Sequence, residues 1–185
     1  GSASITIATF LTLLFCVSLA IFSSITCYLY ALWLRDYPGG RYLGFAAAFA
    51  LGEWWRSWFL TGFPWLYLGY SHIDTPLAGW APLAGIFSIS FIIAFNGAVI
   101  TNMLMQRKIL IGQLSAVIIL WLTGAVLNNI AWVSPSKNTP LKVAMVQANI
   151  PQEIKWNKDQ YQPTLELYQQ TSQPLWSQYH LVIWP

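Results

Sequence analysis

Charge is missing from most of this chain, and where it is missing decides what the chain can build. Residues 1–34, 75–106 and 109–136 contain no Asp, Glu, Lys or Arg. A helix needs about 20 apolar residues to cross a bilayer. Each stretch is long enough, so a membrane protein is the expected class. The composition agrees: 56% of residues are hydrophobic and 8% charged, whereas a soluble domain carries about 25% charged residues. The net charge of +3 is dispersed and forms no basic patch interleaved with aromatics. That argues against nucleic acid as a partner.

Four membrane helices are expected, at about 6–33, 41–60, 79–103 and 109–132. The first connector, 34-LRDYPGGRY-42, carries Arg35, Arg41 and the breaker Pro38-Gly39-Gly40; the third carries Arg107 and Lys108. Cytoplasmic loops are enriched in Lys and Arg, so these two connectors are placed inside and everything after Trp132 outside. Gly44, Ala48 and Gly52 recur every fourth residue, a small-residue ridge on which a neighbouring helix can pack. Asn96, Asn128 and Asn129 are expected to hydrogen-bond between helices. Cys16 and Cys27 stand eleven residues apart on one helix, about 16 Å in rise, too far to form a disulfide. The first apolar run is longer than a signal-peptide core and no basic segment precedes it. Gly1-Ser2-Ala3-Ser4 is expected to be a cloning remnant or the edge of a longer chain.

The most unusual membrane segment is 53-EWWRSWFLTGFPWLYLGYSHIDTP-76. Glu53 and Arg56 fall on one helical face, close enough to pair. A charged residue inside a span is a functional candidate by default. Pro64 is expected to break the helix. Loop 61–78 then faces outward, with Trp54, Trp55, Trp58, Trp65, Tyr67 and Tyr70 as an aromatic belt at headgroup depth.

From Val133 the composition changes. 133-VSPSKNTP-140 has the residues of a linker. 141-LKVAMVQANI-150 is apolar on alternate faces and is expected to form a strand buried on both sides. Asn157 and Gln160 have capping-box spacing, and a helix is expected to run regularly from about Gln162, since Pro163 is tolerated only in its first turn. A second strand, His180–Trp184, follows. Strand, helix and strand in this order open an α/β domain with parallel strands, and two strands with one helix cannot bury a core.

These residues resemble the apolipoprotein N-acyltransferases of bacterial envelopes. The resemblance rests on 53-EWWRSWFLTGFPWLYLGYSHIDTPLAGWAP-82, on 146-VQANIPQEIKW-156 and on 182-VIWP-185, in order and across essentially the whole chain. It implies a polytopic α-helical membrane bundle, of which four spans are present. It also implies that 141–185 is the first β-α-β of a nitrilase-like α-β-β-α domain outside the cytoplasmic membrane. The implied enzyme takes an acyl chain from a phospholipid, commonly phosphatidylethanolamine. It passes the chain through a cysteine thioester to the α-amino group of a lipoprotein's diacylglyceryl-cysteine. No metal or cofactor is implied.

The resemblance places the family's catalytic glutamate one position beyond Pro185, with its lysine and cysteine farther on. Neither Cys16 nor Cys27 matches the nucleophile, and none of Glu53, Glu153 or Glu166 matches the base. The chain is thus expected to be an inactive internal fragment that carries no catalytic residue. Trp156 matches a tryptophan beside the family's active site, and Glu53 and Arg56 match its pair at the outer membrane surface. These three are the expected supporting or substrate-binding residues. The competing expectations are a membrane-anchored amidase or nitrilase and a non-enzymatic scaffold or transporter. The absence of an internal repeat argues against a transporter.

Overall fold

Ser4 opens the first helix by accepting the Ile7 N–H on its hydroxyl at 3.4 Å, a side-chain N-cap. A computed structural model of the chain describes residues 4–135 and 140–185. The chain divides into two units, Ser4–Val133 and the chain from Ser134 onward, described in turn. The centre of the expected linker at 133–140, residues 136–139, lies outside the described residues, as do Gly1, Ser2 and Ala3 of the expected remnant.

The first unit is helical. α1, Ile5–Leu29, continues through a wider turn at Tyr30–Leu34 and buries none of its side chains. Phe10, Leu13 and Val17 are more than half exposed, which in water would be untenable and in lipid is the expected state. The chain reverses at Gly39, whose φ of 76° suits a residue without Cβ. At Gly40 a Cβ would overlap the Leu34 carbonyl. A wide turn at Gly40–Gly44 then leads into α2, Phe45–Arg56.

α3, Ala81–Gln106, is the central helix and is preceded by a tight turn at Pro76–Trp80. Ala84 and Gly85 leave helical geometry, so the regular run starts at Ile86. Arg107 ends it in the left-handed region at φ 51°, a C-terminal cap usually left to glycine. α4 is Ile111–Leu127. Ile5–Leu34 and Pro76–Gln106 are each long and apolar enough to cross a membrane, and Ile111–Leu127 is a shorter apolar helix.

Two expected helix ends fall earlier in the chain, while the third helix runs on past 103 to Gln106. The second helix ends at Arg56 rather than near residue 60. Pro64 is not the cause: Leu60, Thr61 and Gly62 all take positive φ and have already turned the chain. The fourth helix ends at Leu127 rather than 132.

α3 buries Ile89, Ile92, Ala94, Phe95 and Val99. Ala46 of α2 joins Ala94, Phe95 and Val99 in one cluster, with Tyr42 and Met103 at its edge. Leu77, Ile89 and Ile92 form a second, against Trp80 and Trp121. Polar groups tie the helices where no water can. Trp121 Nε1 donates to the Asn96 side-chain oxygen at 2.9 Å, in the amide orientation that also lets Asn96 Nδ2 reach the Ile92 carbonyl. Trp80 Nε1 donates to the Leu120 carbonyl at 3.0 Å. Asn128 reaches the Thr75 carbonyl at 3.5 Å, whereas Asn129 bonds within its own helix to Ala125.

In the second unit, β1, Val143–Met145, pairs in parallel with β2, Leu181–Ile183, in the register Val143↔Leu181. Between them lie α5, Gln152–Lys155, and α6, Tyr161–Ser172. β1 is shorter than the expected strand and exposed on Val143 and Met145, because a two-stranded sheet offers cover on few sides. The expected capping box does not form. Asn157 opens a single tight turn at Lys158–Gln160 and makes no side-chain cap. α6 then begins at Tyr161, one residue before Gln162, with Pro163 in its first turn, where a missing N–H costs no helical bond. Trp184 closes the unit: its Nε1 donates to the buried Ser172 hydroxyl at 2.7 Å, and its ring lies 5.3 Å from that of Tyr168.

Candidate functional site

The last turn of α2 presents Glu53 and Arg56 to a loop that has almost no regular structure. From Trp58 to Tyr67 the chain takes positive φ at four residues: Leu60, Thr61, Gly62 and Leu66. Such a backbone leaves its amides and carbonyls without ladder partners, and beside lipid those groups must be satisfied within the protein. Glu53 and Arg56 supply the partners. Glu53 Oε1 accepts the Leu68 N–H at 2.7 Å, and the Arg56 guanidinium donates to the Leu66 carbonyl at 3.3 Å. The buried Ser90 hydroxyl of α3 accepts the Gly69 N–H at 2.9 Å. Gly69 has to be glycine, since a Cβ there would press on the Ile86 carbonyl at 2.5 Å.

The expected pairing of Glu53 with Arg56 is therefore corrected. Among the described residues the one ion pair is Arg35–Asp36, at 3.3 Å. Helical spacing brings Glu53 and Arg56 to one face, but loop backbone takes each head group, the Leu68 N–H that of Glu53 and the Leu66 carbonyl that of Arg56. The side-chain pattern pairs the two charges because the backbone of a loop 10 to 15 residues away leaves no mark on it.

Arg56 is also held by rings. Its guanidinium carbon lies 5.7 Å from the Phe63 ring centre and 5.3 Å from that of Tyr67, within cation–π range. Tyr67 is buried, stacks on Tyr70 at 5.7 Å and meets Phe87 of α3 at 5.2 Å. Burial pushes its phenol above the usual range, with the Ser57 side chain and then the Arg56 guanidinium opposing. The aromatic belt thus folds inward as well as outward. Phe63 packs edge-on to Phe15 of α1 at 5.3 Å and Trp55 to Phe22 at 4.8 Å, while Trp54, Trp58 and Trp65 remain at least half exposed.

Two hollows separate α1 from α2. The first, about 190 Å³, is lined by Ser23, Thr26, Cys27, Gly52, Glu53 and Arg56, among others. The second, about 390 Å³, is a groove walled by Leu29, Trp33, Leu34, Ala48, Leu51 and Trp55, among others. Thr26 and Gly52 belong to both. The small-residue ridge makes the close approach beside them: a Cβ on Gly52 would overlap Thr26, and one on Gly44 would stand 3.1 Å from Leu34 Cβ. The groove runs along α1 from Ile25 to Leu34, about 14 Å of helical rise and so about half the ~30 Å hydrocarbon layer. It is almost wholly apolar, and the smaller hollow that shares Thr26 and Gly52 with it carries the polar groups.

Trp156 follows α5 in the second unit. It is 77% exposed, and Lys155 Nζ lies 5.7 Å from its ring centre. The structure brings Glu53 and Arg56 to one cavity and leaves Trp156 on a separate unit. The residues that sequence reasoning missed are Ser90, the backbone of Leu66–Gly69, and Thr26. Gly69 lies within the motif, but its purpose shows only against Ser90 and Ile86 of α3.

The N-terminal domain of apolipoprotein N-acyltransferases matches residues 1–99. Over its full length the chain is 41% identical to the apolipoprotein N-acyltransferase of Azotobacter vinelandii and 41% to that of Pseudomonas syringae pv. tomato. The corresponding protein of Coxiella burnetii is 35% identical, again over the whole chain. The chain spans 37% of the length of the first two relatives and 39% of the third.

Proposed function

Because the chain belongs to the apolipoprotein N-acyltransferase family, we propose that it is the lipid-binding part of a bacterial membrane acyltransferase. In this reading the complete enzyme takes an acyl chain from a phospholipid. It transfers that chain, through a thioester on cysteine, to the α-amino group of a lipoprotein's diacylglyceryl-cysteine. The observation that carries the reading is the apolar groove between α1 and α2, joined at Thr26 and Gly52 to the chamber holding Glu53 and Arg56. A hydrolase of soluble amides has no use for such a groove.

The roles given to this chain's own residues are binding and positioning. Leu29, Leu51 and Trp55 hold an acyl chain by van der Waals packing against its methylenes, because the chain enters from lipid that is already as apolar as the groove. Glu53 and Arg56 pin the loop that roofs the chamber. Trp156, on an exposed turn after β1, stands at the edge of an incipient nitrilase-like domain whose first β-α-β is Val143–Ile183. The chemical steps are assigned to the remainder of the enzyme, which leaves this chain inactive when expressed alone. Helices at 5–34, 40–56, 76–106 and 111–127 are proposed as four spans of the cytoplasmic membrane, with the chain from Ser134 on the outer side.

The test is acyl transfer and cross-linking with one probe, a phospholipid bearing a photoactivatable label in its acyl chain. The label is expected on α1 and α2 at groove residues. Ala48→Trp, which fills the groove, is expected to reduce both labelling and transfer by the complete enzyme by steric exclusion of the chain. Labelling confined to the outer lipid-facing side of α1, unchanged by Ala48→Trp, would refute the assignment. Amide hydrolysis without transfer would favour the nitrilase alternative.

A further inference from the structure

We propose that the chamber at Glu53 receives a primary ammonium group carried on a lipid, with the second carboxylate oxygen of Glu53 as its main acceptor. The proposal rests on the acyltransferase reading and adds the polar chemistry of the bound lipid to it. Glu53 is 7% exposed, and its two oxygens differ in circumstance. Oε1 is committed to the Leu68 N–H at 2.7 Å. Oε2 is buried and has no hydrogen-bond partner among the described residues. A buried carboxylate oxygen without a donor is among the costliest groups a protein can hold. Glu53 lines the chamber, and a donor admitted there would satisfy this oxygen.

The walls say what that is. Ser23 and Thr26 of α1 stand around the same 190 Å³ as Glu53, and hydroxyls accept as readily as they donate. An ammonium has three donors and no acceptor, which suits one carboxylate oxygen and two hydroxyls. An anion fits less well. The carboxylate repels it, and the one cation on the wall, Arg56, already serves the Leu66 carbonyl and faces the rings of Phe63 and Tyr67. A trimethylated ammonium carries charge but no N–H, and a glycerol headgroup has hydroxyls but no charge. Oε2 has almost no accessible surface in this structure, and a small turn about the last side-chain bond, a broad torsion, is what would present it to the chamber. The tether is supplied by the groove, which meets the chamber at Thr26 and Gly52.

Such an ammonium has two sources in the proposed reaction: the headgroup of the phospholipid donor, or the α-amino group of the diacylglyceryl-cysteine acceptor. Both are tested by native mass spectrometry of the full 185-residue chain. The probes are dioleoyl phosphatidylethanolamine, phosphatidylcholine and phosphatidylglycerol, and a diacylglyceryl-cysteinyl peptide with its amine free or acetylated. Retention of the ethanolamine lipid, the free-amine peptide or both is expected to exceed that of its N–H-free or uncharged counterpart about tenfold, the scale of one charge-assisted hydrogen bond. Which pair discriminates identifies the source. Glu53→Gln, which keeps an oxygen for the Leu68 N–H, is expected to abolish the discrimination. Ser23→Ala with Thr26→Ala is expected to reduce it with the carboxylate intact. Equal retention within both pairs by the native chain, or discrimination that survives Glu53→Gln, overturns the proposal. If that happens while the photoactivatable chain still labels the α1–α2 groove, the acyltransferase reading stands and only the ammonium receptor falls.

Discussion

At the scale of single residues, Glu53 is the one whose environment departs furthest from what its chemistry prefers. One oxygen anchors the Leu68 amide and the other is buried without a donor. Glu53→Ala removes the anchor and leaves the Leu68 N–H unsatisfied, a loss of about 1–3 kcal/mol. Glu53→Gln keeps an acceptor in place. The thermal midpoint in detergent should therefore fall for alanine and stay close to the parent value for glutamine. Equal falls would mean that the charge, not the acceptor, holds the loop. Tyr67 offers the opposite case. Its hydroxyl is buried and makes no hydrogen bond of good geometry among the described residues, the Ser57 hydroxyl near it donating instead to the Trp54 carbonyl, so Tyr67→Phe removes an unsatisfied group while keeping the ring that faces Arg56 and Phe87. Its midpoint is expected to equal or exceed that of the parent, since an orphaned buried hydroxyl costs about 1–3 kcal/mol. A clear drop would show that the hydroxyl has a partner in the membrane.

At the scale of elements, glycine decides where helices and turns meet. The turn at Pro76–Trp80 lies against α4 through Gly79 and Gly124: a Cβ on Gly79 would overlap the Gly124 carbonyl, and one on Gly124 would come within 2.5 Å of the Pro76 carbonyl. Gly97 in α3 has nothing within 4 Å of its would-be Cβ. Gly79→Ala should thus cost about 1–3 kcal/mol by overpacking. Gly97→Ala should be neutral or gain up to about 1 kcal/mol from helix propensity. Chemical denaturation of the two variants in micelles separates these outcomes. This contact also marks how far the elements were legible. α1 and α3 announce themselves by long apolar runs free of charge, and the Gly44–Ala48–Gly52 ridge by its spacing. The Gly79–Gly124 contact joins residues 45 apart in the chain, and no local pattern couples them. The end of α2 is hidden from the sequence for a similar reason. Leu60 and Thr61 adopt positive φ, which tertiary contacts impose on residues whose own preferences oppose it. The interhelical amide of Asn96 was legible, since a lone amide in an apolar helix has few other uses. That Trp121 is its partner was not.

At the scale of the molecule, the proposed topology follows from where the two basic connectors lie. Tyr42, just after Arg41, and Met103, shortly before Arg107, edge the same cluster of Ala46, Ala94, Phe95 and Val99. Leu77, Trp80 and Trp121 gather in the other cluster. The bundle therefore has one end rich in Arg and Lys and another carrying the loop that contains Asp74. Cationic connectors resist translocation whereas acidic ones do so much less, so the end with Arg35, Arg41, Arg107 and Lys108 is expected to face the cytoplasm. With Cys16 and Cys27 replaced by serine, single cysteines at Asp36, Asp74 and Lys142 report the sides by labelling with a membrane-impermeant maleimide in intact spheroplasts. Asp74→Cys and Lys142→Cys should label at once, and Asp36→Cys only after the membrane is opened. Immediate labelling at Asp36 with protection at Asp74 would invert the bundle. It would then place the Glu53 end of the chamber toward the cytoplasm, away from an external acyl acceptor. Labelling at both Asp36 and Asp74 before opening would mean that α1 and α2 do not form a membrane-crossing hairpin. In that case the groove between them could not be a lateral opening to lipid.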